Sequence, residues 1–101
     1  MAEIIWLDPA TFSLEEIIEY IAFDNPDAAA RLTARTLRHI AHLSKHPKIG
    51  PAVPDLPQSE HRQIIEPPCR IFYKISGDTI FIVHVMRSER LFRPSNLQDV
   101  E

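Results

Sequence analysis

The chain has 101 residues, 45% of them hydrophobic and 25% charged, with a formal net charge of −3 and a pI near 5.9. One domain over residues 1–101 with an ordinary soluble core is expected at this size, and mild acidity counts against gripping nucleic acid through overall charge. The lone Cys69 excludes an internal disulfide, and no basic leader or long apolar run is evident, so a cytoplasmic protein without membrane spans is expected.

Glu3 to Leu7 is a short apolar run, read as a first strand. Asp8 offers an N-cap with Pro9 at the first helical position. Phe12, Leu14, Ile17, Ile18 and Ile21 then recur at helical spacing, with Glu15, Glu16 and Glu19 on the wet face. This helix should stop near Phe23. Asn25 and Pro26 repeat the start signal and open a second helix, from about Pro26 to His46. So short a connection predicts an antiparallel helical hairpin.

The second helix is amphipathic. Ala30, Leu32, Leu37, Ile40, Ala41 and Leu43 fill a broad apolar arc, opposite a narrow stripe of Arg31, Arg35, Arg38, His42 and Lys45. Such a stripe reads first as a solvated face and second as a surface for an acidic partner. Its basic C-terminal residues also complement the helix dipole.

Pro47, Pro51, Pro54 and Pro57 punctuate a long loop that cannot be helical. His61 to Glu66 returns to extended structure, which Pro67 and Pro68 interrupt. From Arg70 to Arg90 the pattern is a β-hairpin, with Ser76, Gly77 and Asp78 supplying the turn. Ile71, Tyr73 and Ile75 take one face of its first strand, Phe72 and Lys74 the other. Thr79 to Met86 is apolar almost throughout, as suits a strand covered on both faces. It delivers His84, Arg87 and Arg90 to one end of a sheet. From about residue 91 the chain reads as an irregular tail. The order strand, helix, helix, strand, strand, strand predicts an α+β fold, a helical hairpin on one face of a mainly antiparallel sheet.

Candidate chemistry is sparse. His84 sits in an apolar strand, where a core histidine is the ordinary reading and an acid–base group the sharper one. Tyr73 reads first as packing. His39 and His42 could share a helix face, but no third ligand is near, so no metal is expected. Nothing resembles a nucleotide loop, and no cofactor is expected.

Six matches, in order and carried by five segments, resemble the ParE/RelE superfamily of bacterial toxins from type II toxin–antitoxin systems. The segments are IIWLDPA (Ile4 to Ala10), EIIEYIAFDNPDAAARL (Glu16 to Leu32), LSKHPKIGPAVPDL (Leu43 to Leu56), HRQIIEPPCRIFYKI (His61 to Ile75) with its paired arginines Arg62 and Arg70, and IFIVHVMRSER (Ile80 to Arg90) with its basic exit. The second of these holds both the Tyr20-Ile21-Ala22 signature and the second proline-capped helix.

The resemblance implies one of two activities. RelE-like members are ribosome-dependent mRNA endoribonucleases, whose chemistry needs a base, cations for the phosphorane and an acid for the leaving oxygen. On that reading Arg62, Arg70, His84 and Arg87 would carry the reaction. The pattern departs from it at Ile64, where a further lysine is favoured, and at Leu91-Phe92-Arg93-Pro94, which lacks a tyrosine. The resemblance is therefore closer to ParE, whose members inhibit DNA gyrase by binding. Arg87, Arg90, Arg93 and the tail beyond them are the expected gyrase contacts. A cognate ParD-like antitoxin is implied as partner, with a segment that folds on the toxin; Arg31, Arg35 and Arg38 are its expected contacts. A non-toxic binding module on the same fold is the third expectation.

Overall fold

Asn25 organises the helical half of the molecule. The computed structural model describes residues 1–97; the last four residues of the expected tail, 98–101, lie outside the described residues. Helix α1 spans Asp8–Asp24 and helix α2 spans Pro26–Lys45. Asn25 ends the first, donating its N–H to Ile21 O at 2.8 Å, and caps the second, accepting from Ala28 N at 3.0 Å. One residue serves both termini, so the helices must fold back on each other.

The start of α1 differs from expectation. Leu7 is the N-cap, without a side-chain bond, and Asp8 already lies in the first helical turn. There its carboxylate still meets the positive end of the helix dipole. Burial differs too. Ala10 and Ile17 are the buried residues of α1, whereas Phe12 is 66% exposed. On α2 the buried line is Ala29, Leu32, Thr36, Ile40 and Leu43, while Ala30, Leu37 and Ala41 face outward. A helix packed on a sheet buries a stripe narrower than the apolar arc drawn from composition.

The sheet contains β1 (Glu3–Trp6), β2 (Arg62–Glu66), β3 (Cys69–Ser76) and β4 (Thr79–Arg87), in the order β1-β4-β3-β2. β2, β3 and β4 form an antiparallel meander, and β1 adds parallel to β4. The β3–β4 turn has Gly77 at φ 59°, with no other residue at positive φ among the described residues. Glycine first in a two-residue loop suits a II′ hairpin, where a Cβ would be strained. Pro67 and Pro68, joined by a cis peptide bond, make the β2–β3 turn.

A register break shapes β4. Tyr73 lies opposite Ile82 and Phe72 opposite His84, which leaves Val83 without a partner on β3. Before the bulge, Ile80 and Ile82 face the helices. After it, Val85 takes that side and His84 joins Phe72 on the other.

Each face therefore has its own core. Under the helices lie Ile17, Leu32, Ile40, Leu43, Ile71, Tyr73, Ile80 and Ile82. On the opposite face, Phe72, Val83 and Met86 are covered by Val53 of the proline loop and Leu97 of the tail, with Leu56 and Phe92 packed alongside. Leu97 belongs to a short 3-10 turn, Pro94–Leu97. Full burial of such side chains contributes roughly 1.5–3 kcal/mol each.

The proline loop is fastened to the sheet. Tyr73, fully buried, donates its hydroxyl to Pro47 O at 2.7 Å and accepts from Gly50 N at 3.0 Å. Arg62 Nη1 donates to Gly50 O at 2.7 Å and Lys48 O at 3.2 Å. Gly50 permits this approach, because a Cβ there would meet the Gln63 carbonyl and lie 2.7 Å from the Tyr73 hydroxyl.

Candidate functional site

The arginines that look alike in the chain have separate fates. Arg62 pairs with Tyr73 across β2 and β3, which puts it on the helix-side face. Arg70 shares the parity of Phe72 and takes the opposite face. The two are not brought together, and both are engaged. Arg62 holds the loop carbonyls described above. Arg70 pairs with Asp55 at 2.7 Å and with Gln63 Oε1 at 2.8 Å, and its guanidinium lies over the rings of Phe72 (4.9 Å) and Phe92 (5.4 Å). The guanidinium beside Asp55 holds that carboxyl below the usual range. Arg70 thus joins the proline loop, the sheet and the tail.

A groove opens at the far end of β4. It has a volume of about 760 Å³. Ser13, Glu16, Ile17 and Tyr20 of α1 form one wall; His84 to Arg87 of β4 form the other. Glu89, Arg90, Arg93 and Asn96 close its rim. Arg87 pairs with Glu89 at 2.7 Å, keeping that carboxyl low, and its guanidinium lies 5.5 Å from the centre of the Tyr20 ring. Its Nη1 is shielded from solvent yet has no hydrogen-bond partner among the described residues. Among the described residues, no carboxylate pairs with Arg90 or Arg93.

His84 lies in the same groove, with its ring 6.0 Å from that of Phe72 and nearly parallel to it. Burial pushes its pKa down, so the imidazole is neutral near pH 7. Two of the four candidate nuclease residues, His84 and Arg87, therefore meet here, and Arg62 and Arg70 do not. All of Arg87, Arg90 and Arg93 do. The α1 residues Ser13, Glu16 and Tyr20 were not among the expected site residues. Tyr20, 74% exposed, had entered the sequence reading only through the Tyr20-Ile21-Ala22 match, without a site role.

The α2 stripe is divided. Arg31 and Arg38 are exposed, but Arg35 pairs with Glu66 at 3.0 Å and donates to Pro67 O at 2.8 Å. His39 joins the same carboxylate, also at 3.0 Å. These contacts pin α2 to the β2–β3 turn. Among the described residues no group of three His, Cys, Asp or Glu side chains could hold a metal, and no helix is long and apolar enough to cross a membrane. The Cys69 thiol is fully buried and pushed up by that burial, so it is unreactive.

Comparison with known proteins agrees with this architecture. A family model described as ParE toxin of type II toxin-antitoxin system, parDE, matches residues 4–92. A solved structure, the chromosomal ParDE TA system from P. aeruginosa, is similar at a TM-score of 0.68 and 18% identity, covering 86% of this chain and 96% of that one. At that identity the likeness concerns the fold. No curated protein matches by sequence.

Proposed function

This chain belongs to the ParE toxin family of type II toxin–antitoxin systems, and from that premise we propose that it inhibits DNA gyrase by binding and is neutralised by a cognate antitoxin in the cytoplasm. The observation that carries the reading is the gathering of Arg87, Arg90 and Arg93 in one groove. A protein that traps its target needs differential affinity for one state of it, and no reacting group of its own.

The distribution of the other candidates supports binding over catalysis. An endoribonuclease needs its cations within reach of one phosphate. Arg62 and Arg70 occupy opposite faces and hold protein carbonyls, a carboxylate and an amide instead. Phe92, in the segment where the RelE-like pattern would carry a tyrosine, packs against Phe72, with ring centres 5.4 Å apart.

Gyrase supercoiling with purified, antitoxin-free chain tests the proposal. Inhibition with accumulated cleaved DNA is the expected outcome, reversed by antitoxin and lost with Arg87, Arg90 and Arg93 all changed to alanine. Full gyrase activity at excess folded protein overturns it. Cutting of ribosome-bound mRNA by the same preparation would establish the nuclease instead, and inactivity in both assays a non-toxic binding module.

A further inference from the structure

Charge is divided between the two helices. α1 carries Asp8, Glu15, Glu16, Glu19 and Asp24 and no lysine or arginine. α2 reverses this, with Asp27 in its first turn as its only carboxylate. Arg31, Arg38 and Lys45 recur at every seventh residue, which a 3.6-residue period sets nearly in line along one face, over a length of about 21 Å. All three are exposed, and so are Ala34 and Ala41 between them. One helical turn away from Arg38 and Lys45 stand only Ala34, Arg35, Ala41 and His42. Among the described residues no carboxylate lies within ion-pair distance of Arg31, Arg38 or Lys45. A solvated face ordinarily mixes both signs, and like charges a turn apart weaken a helix. This row leaves its cations unrelieved.

We propose that the row Arg31, Arg38 and Lys45 lies on the phosphates of the duplex DNA that gyrase holds, so that the toxin joins enzyme and DNA in one complex. The proposal rests on the gyrase reading above and adds a second surface to it. The two surfaces occupy separate flanks. α1 lies over β4, beside the groove, whereas α2 lies over β2. None of the three row residues lines the groove. A chain seated on gyrase through Arg87, Arg90 and Arg93 therefore keeps the α2 face free for DNA. Contact with both components favours the state in which they are together, which is the differential affinity that trapping demands.

The make-up of the face decides between occupants. Duplex DNA carries one negative charge per roughly 1.7 Å of axis, so an even row of cations meets phosphates at any register. Ala34 and Ala41 keep the ridge low and let the helix approach a broad surface closely. A protein partner is held instead by large side chains buried in pockets, and alanines supply no such anchor. Leu37, the large apolar neighbour, lies about 100° round the helix from Arg38, on the flank of the row. The chain as a whole is acidic, at −3, so contact through the row alone is weak. It becomes effective when gyrase holds toxin and DNA side by side, because the second contact is then intramolecular.

The test measures binding of the antitoxin-free chain to a fluorescent DNA duplex of mixed sequence, from low salt upward. Three phosphate contacts give a slope of about −2.7 in log K against log salt, and Arg31→Ala, Arg38→Ala and Lys45→Ala should each remove about 0.9 of it. In the gyrase assay the triple variant should need about tenfold more protein to accumulate the same cleaved DNA, with its melting temperature unchanged. A triple variant with the parental slope and dose curve overturns the DNA contact and leaves the gyrase reading standing. Parental chain that binds duplex but leaves gyrase uninhibited overturns the gyrase reading, and with it the joining of enzyme to DNA. A triple variant that loses affinity for the antitoxin, with duplex binding intact, gives the row to the antitoxin and overturns the choice of occupant.

Discussion

The sheet has two cores, and they are built on different principles. On one face, α1 and α2 lay down regular stripes, so that Ile17, Leu32, Ile40 and Leu43 reinforce one another along rigid elements. On the other, Val53, Leu56, Phe92 and Leu97 reach in singly from segments with little regular structure. The second face adds a polar fastening, Arg70 linking Asp55 of the proline loop to Phe92, while Tyr73 and Arg62 hold the same loop near Gly50 from the helix side. A helix carries its own backbone hydrogen bonds into a core, whereas a loop must find partners for each buried peptide group. That difference explains why tyrosine and arginine side chains hold the proline loop, where helical hydrogen bonding serves α1 and α2.

Gly50→Ala attacks the fastenings most directly. A Cβ there collides with the Gln63 carbonyl and the Tyr73 hydroxyl, and neither backbone nor buried ring can yield cheaply. A loss of about 3 kcal/mol or more is expected in urea unfolding. A loss below about 1 kcal/mol would mean that the loop is not anchored as described.

Matched cavities set the faces against each other. Leu43→Ala, at a fully buried helix position, should cost about 3–4 kcal/mol. Leu97→Ala, 5% exposed in the tail, should cost about 1–2 kcal/mol, because the tail can open locally without unfolding the sheet. Equal losses in denaturant titrations would erase the distinction between the cores.

Arg70→Met keeps much of the apolar stem and removes the ion pair. Faster amide exchange is expected over residues 52–57 and 92–97, with α1 and α2 unchanged. Acceleration spread evenly over the molecule would show that Arg70 supports the whole fold.

The smallest effect is electrostatic. Burial lowers the pKa of both His84 and His61 from 6.5. The unfolded chain therefore binds protons more readily than the folded one, so the stabilisation is present above pH 6.5 and fades as pH falls through the folded values. The melting temperature should drop between pH 7.5 and 5.5, and His84→Phe should make that slope shallower. An unaltered slope would remove His84 from the account.

The helical hairpin and the β3–β4 hairpin were legible in the amino-acid pattern, since Asn25-Pro26, a 3.6-residue period and Gly77 act locally. The bulge at Val83 was not. A strand apolar on both sides carries no alternation, so a slip in phase leaves no trace. Arg70 could not be separated from a phosphate ligand because Asp55 and Phe92, which occupy it, lie far away in the chain. Leu97 was one apolar residue among polar ones, too few to show a period. The groove was half visible: Arg87, Arg90 and Arg93 stood out as a cluster, but its other wall is α1, where Tyr20 stood only as part of the Tyr20-Ile21-Ala22 match.

The parallel pairing of β1 with β4 bears on how the protein is made. The first strand to leave the ribosome finds its neighbour, Thr79–Ile82, only in the last strand. Chains emerge from the N-terminus, and contacts between distant segments wait for both to be free. The central strand and the groove beside it are therefore completed only after residues 79–93 have left the ribosome. Every polypeptide stalled before that point lacks the arginine cluster, so the binding surface comes into being late, once β1 and β4 are both free to pair.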